Sequence, residues 1–289
     1  MTGFLGSYLA KALVDNGHVI IGLKRCMSDT VRLTDTLKSL ILFDVEDGLE
    51  SLFEIHSDIE LVIHAATSYG NQKEPLSEMF MTNVILPLKI LELSSCNKGC
   101  VFVNTGTYFS KISGDYSYLS DYIFTKSVMQ TLGEIFSIKN KTTFVNVQLE
   151  HMFGPKDGSQ KFTSSVFQKL LSNTPLIELT AGEQERDFVY VDDVVEAYLS
   201  IINSSEVMGS REVRCFEVGS GQAHTIKDFV LAAQRALGSE SELSFGALPY
   251  RENELMYSEA NLNSLHALGW SCKYGMEAGI EKAIAYLRS

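Results

Sequence analysis

The sequence has no run of about 18 or more apolar residues, the length a membrane-spanning helix needs, and no basic segment followed by an apolar run near its start. These absences predict a soluble, cytoplasmic protein without a membrane partner. Positive charge is also scarce: 24 Lys and Arg stand against 36 Asp and Glu, a net charge of −12. That balance excludes broad electrostatic attachment to nucleic acid, and an anionic ligand would need a local cluster of cations. Paired cysteines are lacking as well. Cys26, Cys96, Cys100, Cys215 and Cys272 are odd in number, and the one close pair is spaced CxxxC without a nearby histidine. They predict reduced, mostly buried thiols and no metal site. No internal repeat is visible. What is present is ordinary globular usage, 45% hydrophobic and 21% charged over 289 residues, enough for one large α/β domain or a cofactor domain carrying a smaller lobe.

Short apolar runs at 18–23, 40–43, 60–66, 100–104 and 144–149 read as buried parallel strands. Between them, 5–16, 76–96 and 116–138 have the length and spacing of covering helices, so the fold class expected is α/β with a doubly wound parallel sheet. After Gly154 the character changes. A strand at 186–191, a helix at 193–202, a strand at 215–218, a helix opened by Thr225 and running to 237, and a closing helix at 276–287 predict a smaller C-terminal lobe. The division expected is 1–150 with 187–218 returning to it, against 151–186 with 219–289.

The chain opens Met1-Thr2-Gly3-Phe4-Leu5-Gly6, the second half of a GxxGxxG turn. In such a turn Gly3 lets the backbone approach a pyrophosphate and Gly6 lets the helix pack closely, with the helix N-terminus toward the anion. Gly3, Phe4, Leu5 and Gly6 are therefore candidate cofactor contacts, although Gly-x-x-Gly alone also describes a plain turn. The strand and first glycine that precede such a turn are absent before Thr2, and the expectation is a truncated start. At the end of the next strand stands Lys24-Arg25, where an acidic residue would suit the ribose hydroxyls of NAD. Two cations suit a 2′-phosphate, so NADPH is the cofactor expected.

Tyr122 and Lys126 form a YxxxK spacing within an expected helix, which puts both on one face. A free tyrosine titrates near about 10, and a neighbouring ammonium favours its phenolate, bringing the group toward acid/base range. The same spacing also fits an ordinary amphipathic helix. The strand 100–104 ends in Thr105, whose hydroxyl could orient a substrate oxygen. Ala65, Ala66 and Thr67 close another strand with small residues against which a nicotinamide ribose could lie, and His64 before them reads as a strand-end histidine rather than a catalyst.

Taken together, Thr2-Gly3-Phe4-Leu5-Gly6, His64-Ala65-Ala66, Asn83 in Met81-Thr82-Asn83-Val84, Thr105, Tyr122 with Lys126, Phe153-Gly154-Pro155, RDFVYVDDV at 186–194, and Leu268-Gly269-Trp270 resemble the extended short-chain dehydrogenase/reductase family of nucleotide-sugar enzymes. The resemblance spans essentially the whole chain. It implies a Rossmann-type fold in which Tyr122 is the general acid/base, Lys126 holds the ribose and lowers the tyrosine pKa, and Thr105 completes a triad. It further implies that Asp44, Val45, Ala65, Ala66, Thr67 and Asn83 meet the cofactor, that Thr107 and His151 meet substrate, and that Arg186 and Arg251 grip a nucleotide diphosphate. A homodimer through the Tyr122 helix is implied by the same resemblance.

Family members catalyse 4-epimerisation, 4,6-dehydration or ketone reduction. Dehydratases follow the threonine with Asp-Glu, because elimination needs a further acid and base; here Gly106-Thr107 follow Thr105. Epimerases keep the acidic residue that Lys24-Arg25 replaces. The expectation is thus an NADPH-dependent 4-keto reductase of a nucleotide-linked sugar. Residues 145–158 and 180–188, with Phe245-Gly246-Ala247 and Asn253-Glu254-Leu255-Met256, resemble reductases of CDP-linked dideoxy sugars used for O-antigen. Within those stretches Glu150-His151 stands where most relatives carry an asparagine, and Gln148 replaces a usual arginine. A reductase or 4-epimerase of a dTDP- or UDP-sugar, and a non-catalytic NADP-binding protein, remain alternatives.

Overall fold

The computed structural model describes residues 1–70, 74–97, 99–111 and 118–288. Contacts divide the chain into two compact units, one of residues 1–110, 119–148 and 197–216, the other of 111–118, 149–196 and 217–289.

In the first unit Leu5, Leu9, Ala10 and Leu13 recur at helical spacing and are buried along α1 (Phe4–Asp15). Strands β1 (Ile20–Lys24) and β2 (Leu40–Asp44) pair in parallel with Lys24 opposite Asp44. There follow α2 (Leu49–Ile55), β3 (Leu61–His64) and α3 (Leu76–Phe80), which runs through a π turn at Met81–Ile85 into α4 (Leu86–Ser94). Next come β4 (Val101–Thr107), α5 (Ser120–Asn140) and β5 (Thr143–Leu149). All seven residues of β4 are buried, the pattern of a strand covered on both faces. The five strands expected from apolar runs are β1 to β5; residues 116–117 of the expected third helix lie outside the described residues.

The core of this unit joins Leu49, Leu52 and Phe53 of α2, Ile90 and Leu91 of α4, Phe102 of β4, Met129 of α5 and Phe144 of β5. Phe102 and Phe144 stack at 5.9 Å. Gly133 lets α5 sit directly on this layer, since a Cβ there would collide with the Phe144 ring.

The second unit contains β6 (His151–Phe153), α6 (Phe162–Leu171), β7 (Leu176–Leu179) and β8 (Glu185–Tyr190). Helix α7 (Val191–Ile202) passes from this unit into the first, followed by α8 (Ser205–Met208) and β9 (Val213–Val218). The chain ends with β10 (Ala223–Thr225), α9 (Ile226–Leu237), β11 (Glu242–Phe245), α10 (Asn263–Ala267) and α11 (Met276–Arg288). The strand orders are β1-β2, β3-β4-β5-β9, β10-β8-β6 and β11-β7. β3 and β4 are parallel, and so are β6 and β8. The expected start of α9 at Thr225 is a capping box with Asp228.

Two expectations need correction. Residues 187–196 group with the second unit, because the Asp187 carboxylate accepts from the N–H groups of Ser220, Gly221 and Ala260, and Asp193 from those of Lys273 and Tyr274. The five cysteines are not mostly buried: Cys26, Cys96 and Cys215 are exposed, two residues past a strand end, just past a helix end and on an outward position of β9. Among the described residues no helix is long and apolar enough to cross a membrane, and no metal-ligating cluster is found.

Between β5 and β6 lies a buried carboxylate. Glu150 accepts from the Ser258 hydroxyl at 2.7 Å and pairs with Lys111 at 3.2 Å, while Lys111 also meets Glu217 at 2.6 Å. Burial pushes Glu150 up to about 7, with Ser258 and Lys111 opposing the shift.

Gly133→Ala gains about 1 kcal/mol of helix propensity but overpacks Phe144 at about 1–3 kcal/mol. A net loss in urea unfolding is expected, and a smaller one in a Phe144→Leu background; equal stability in both backgrounds would contradict the contact. Glu150 binds its proton more tightly folded than unfolded, so its stabilising contribution is complete below its ordinary value of 4.5 and is lost as pH rises through about 7. Glu150→Gln should therefore gain stability relative to the wild-type chain by on the order of 2 kcal/mol between about pH 5 and pH 8. A difference that stays constant across that range would refute the raised pKa.

Candidate active site

Strand β4 sends Thr105 and Thr107 to the same face, because alternate strand residues point the same way. Helix α5 supplies the opposite wall. Its buried positions are Tyr122, Thr125, Lys126, Met129, Gly133 and Ser137, which share one helical face. The threonine that hydrogen-bonds Tyr122 is Thr107. Thr105 is turned elsewhere, its hydroxyl 2.7 Å from the hydroxyl of Tyr198 on α7. Thr105, expected to complete the tyrosine's constellation, is thus engaged by Tyr198, and Thr107, expected on substrate, interacts with Tyr122. The residues that follow Thr107 are Tyr108 and Phe109, ring on ring at 4.1 Å, so this position also lacks an Asp-Glu pair.

Burial pushes the Tyr122 phenol well above its usual value near 10, with a smaller rise from Tyr69 and an opposing hydrogen bond from Thr107. The expected lowering by Lys126 is not what governs it. Lys126 is itself 4% exposed, and burial alone brings its ammonium down to about 8, with no carboxylate among the described residues stabilising its proton.

The loop after β3 closes over Tyr122. Tyr69 stacks on the Tyr122 ring with centroids 4.7 Å apart and a 27° interplanar angle. Asn83, fully buried on the π turn, fixes this loop. Its Oδ1 accepts from the Ser68 N–H at 2.7 Å, and its Nδ2 donates to the Ser68 carbonyl at 2.8 Å and to the Thr125 hydroxyl at 3.0 Å. The amide expected to bind cofactor is thus engaged inside the protein, as a clamp between loop and α5. His64 is buried, stacks on Phe102 and reaches Asn104 at 3.3 Å, and burial pushes it down to about 3. It is neutral at physiological pH, as a strand-end histidine should be.

Several features fit a dinucleotide. The N-terminus of α1 has no side-chain cap, and a Cβ on Gly3 would point into open space. A Cβ on Gly6 would sit 2.6 Å from the Met1 carbonyl oxygen, so the opening turn itself leaves no room for a side chain there. Ala65, Ala66 and Thr67 follow β3 and are at least partly exposed. At the ends of β1 and β2, Lys24 is ion-paired with Asp44, as the strand register dictates, so its charge is not free for a phosphate. Arg25 beside it is exposed, and Val45 follows Asp44 in a single 3-10 turn.

In the second unit, Arg186 and Arg251 meet on one carboxylate. Glu254 lies 2.8 Å from Arg186 and 3.7 Å from Arg251, and the Arg251 guanidinium sits 3.7 Å above the Tyr118 ring. His151 packs edge-on against Phe188 at 5.3 Å; burial first, then Arg186 and Lys161, pushes it down to about 3. Sequence reasoning missed Tyr69, Tyr198, Lys161 and Glu254 as site residues. The three-residue spacing of Glu254 after Arg251 was the only available signal among these.

The sequence profile of the NAD dependent epimerase/dehydratase family matches residues 1–218. CDP-abequose synthase of Salmonella muenchen is 33% identical over 285 residues, covering 98% of this chain and 94% of that protein. CDP-abequose synthase of Salmonella typhimurium is 35% identical over 292 residues, covering 99% and 96%. The fold recurs in UDP-glucose 4-epimerase of Thermotoga maritima, solved with UDP-glucose, at a TM-score of 0.83 and 22% identity over 99% of this chain and 96% of that one. It recurs again in the UDP-glucose 4-epimerase of Thermus thermophilus, solved as a complex with NAD, at 0.83 and 22% over 100% and 97%. With a Rossmann-type α/β fold and a profile match over most of its length, the chain belongs to the NAD-dependent epimerase/dehydratase family of nucleotide-sugar enzymes.

Proposed function

We propose that this protein is an NADPH-dependent reductase of a 4-keto group on a CDP-linked 3,6-dideoxy sugar, of the kind that supplies O-antigen. The observation that carries the reading is the state of Tyr122. It is buried, held as the neutral phenol, bonded by Thr107 and one helical turn from the buried Lys126. A neutral phenol is the form able to give a proton to an alkoxide developing from a carbonyl. Elimination would require a further acid and base, and Tyr108-Phe109 after Thr107 supply no carboxylate for it. The identity of 33–35% to enzymes named CDP-abequose synthase supports the CDP-linked sugar.

In this reading Gly3, Phe4, Leu5 and Gly6 at the start of α1 hold the pyrophosphate, Asp44 and Val45 the adenosine, and Arg25 the 2′-phosphate. Ala65, Ala66 and Thr67 line the nicotinamide end, and Lys126 holds its ribose. When bound, the nicotinamide supplies the hydride. Thr107 orients the Tyr122 hydroxyl, which delivers the proton. Arg186 and Arg251, with Lys161 and His151 nearby, bind the substrate diphosphate; two guanidiniums on the single carboxylate of Glu254 keep positive charge there.

One observation favours a second reading, an NAD-recycling 4-epimerase of a UDP- or dTDP-sugar: the Asp44 carboxylate stands at the end of β2 and neutralises Lys24. Incubation with CDP-4-keto-3,6-dideoxyglucose and either NADPH or NADH, with NMR assignment of the product, separates the two. Reduction should consume one NADPH per sugar, and Tyr122→Phe should lower turnover by about 10²-fold or more. Interconversion of UDP-sugars without net NADPH consumption would establish the epimerase, NADH serving equally well would overturn the cofactor assignment, and cofactor binding without any turnover would indicate a regulator.

The reading includes a homodimer. On α5, Phe124, Ile135 and Ile138 are exposed at 56%, 58% and 74% and fall on one stripe, and Met81 and Ile85 on the π turn are exposed as well. Sedimentation at about twice the 32.1 kDa chain mass is expected. A Phe124→Glu, Ile138→Glu double variant should sediment as a monomer; a monomeric wild-type protein would exclude this interface.

A further inference from the structure

We propose that Tyr69 is the proton-relay residue of this site: its hydroxyl returns a proton to Tyr122 after Tyr122 has protonated the reduced substrate. The inference rests on Tyr122 being the proton donor proposed above. Each reduction leaves Tyr122 as a phenolate, and a buried phenolate needs a path by which a proton can return. Tyr122 is 5% exposed, so direct contact with bulk water is minimal. Tyr69 lies over it, with rings stacked at 4.7 Å and side chains hydrogen-bonded, and Tyr69 is itself partly exposed. It is therefore a partly exposed phenol whose ring lies on that of Tyr122.

The position is built rather than incidental. Asn83 bonds both the N–H and the carbonyl of Ser68, directly before Tyr69, and ties them to Thr125, three residues after Tyr122 on α5. Gly70 directly after it has φ +70°, and a Cβ there would clash with the Met79 side chain, so the chain turns at once. Ser68, directly before Tyr69, is thereby held relative to the helix that carries Tyr122.

The proton balance is simple. The Tyr122 O–H bond breaks as the substrate O–H bond forms. The Tyr69 O–H bond then breaks as the Tyr122 O–H is remade, and the Tyr69 phenolate takes a proton from water or a buffer acid. No electron moves in these steps. Other titratable groups around the pair are Lys126 on α5, His64 at the end of β3, which is neutral, and Glu74, which bonds the Ser68 hydroxyl.

The decisive variant is Tyr69→Phe, which keeps the ring and its stacking but removes the relay oxygen. In single-substrate reduction assays it should lose about tenfold or more in kcat with little change in KM. The defect should deepen as pH rises and be partly restored by imidazole, a small proton donor. Unchanged kcat, or a loss that neither pH nor imidazole alters, would overturn the relay; a normal Tyr69→Phe beside an impaired Tyr69→Leu would leave Tyr69 as a stacking platform only. A second measurement needs no turnover. In protein carrying [4-13C]tyrosine, the Tyr122 resonance should respond to the ionisation of Tyr69, and its titration should move in Tyr69→Phe. Independent titration of the two phenols would refute the proposal even if the keto-sugar reading held. Coupled titration in a protein that reduces no keto-sugar would instead discard the substrate assignment while keeping the relay pair.

Discussion

How closely α5 can approach β4 and β5 decides the chemistry of the first unit. Gly133 brings the helix onto the Phe144 ring, and the same face carries Met129, Lys126, Thr125 and Tyr122. Because one rigid helix bears all of them, the depth set by Gly133 and Met129 is imposed on Tyr122, which is how a phenol comes to sit beside Thr107 with little exposure. The same closeness buries an ammonium, and its desolvation is the whole reason Lys126 titrates near 8. The packing that positions the tyrosine also creates a cation without a counter-charge among the described residues, a favourable place for an anionic or hydroxyl-rich ligand.

A second constraint operates on the loop over the site. Loops are normally the least fixed part of an α/β protein, yet the segment after β3 is held by a side chain from the π turn between α3 and α4. The π turn at Met81–Ile85 matters here, since an extra residue per turn re-aims side chains and such turns recur at functional sites. Asn83 on that turn spends its amide on Ser68 and Thr125. Leaving those buried groups unpaired would cost about 1–3 kcal/mol each, so the clamp and the position of Tyr69 stand or fall together.

In the second unit the question is how an acidic chain keeps cations where an anion could use them. Exposed pairs such as Lys11–Asp15 contribute about 0.3–0.5 kcal/mol. Breaking the pair of Arg186, 5% exposed, with Glu254, 8% exposed, costs about 3–5 kcal/mol because a charge would be left buried. Glu254 is therefore a structural partner first. By holding Arg186 with one oxygen and drawing Arg251 with the other, it gathers two guanidiniums without cancelling both.

The sequence made the five strands, the covering helices and the YxxxK face legible, because periodicity and spacing are local properties. It failed where the answer depends on depth along an element or on a partner distant in sequence. Thr105 and Thr107 lie on the same face of β4, and only the three-dimensional height of Tyr122 decides that the second one meets it. Lys24 reads as a free cation until strand register sets Asp44 opposite it. Tyr69 carries no signal at all: it belongs to no periodic segment and follows a strand that had already ended. Its placement comes from Asn83, fourteen positions away by number and adjacent in space, as hydrogen bonds between distant segments allow. A residue of that kind is found by asking what occupies the space above a reacting group, and at Tyr122 that space holds a second, partly exposed phenol.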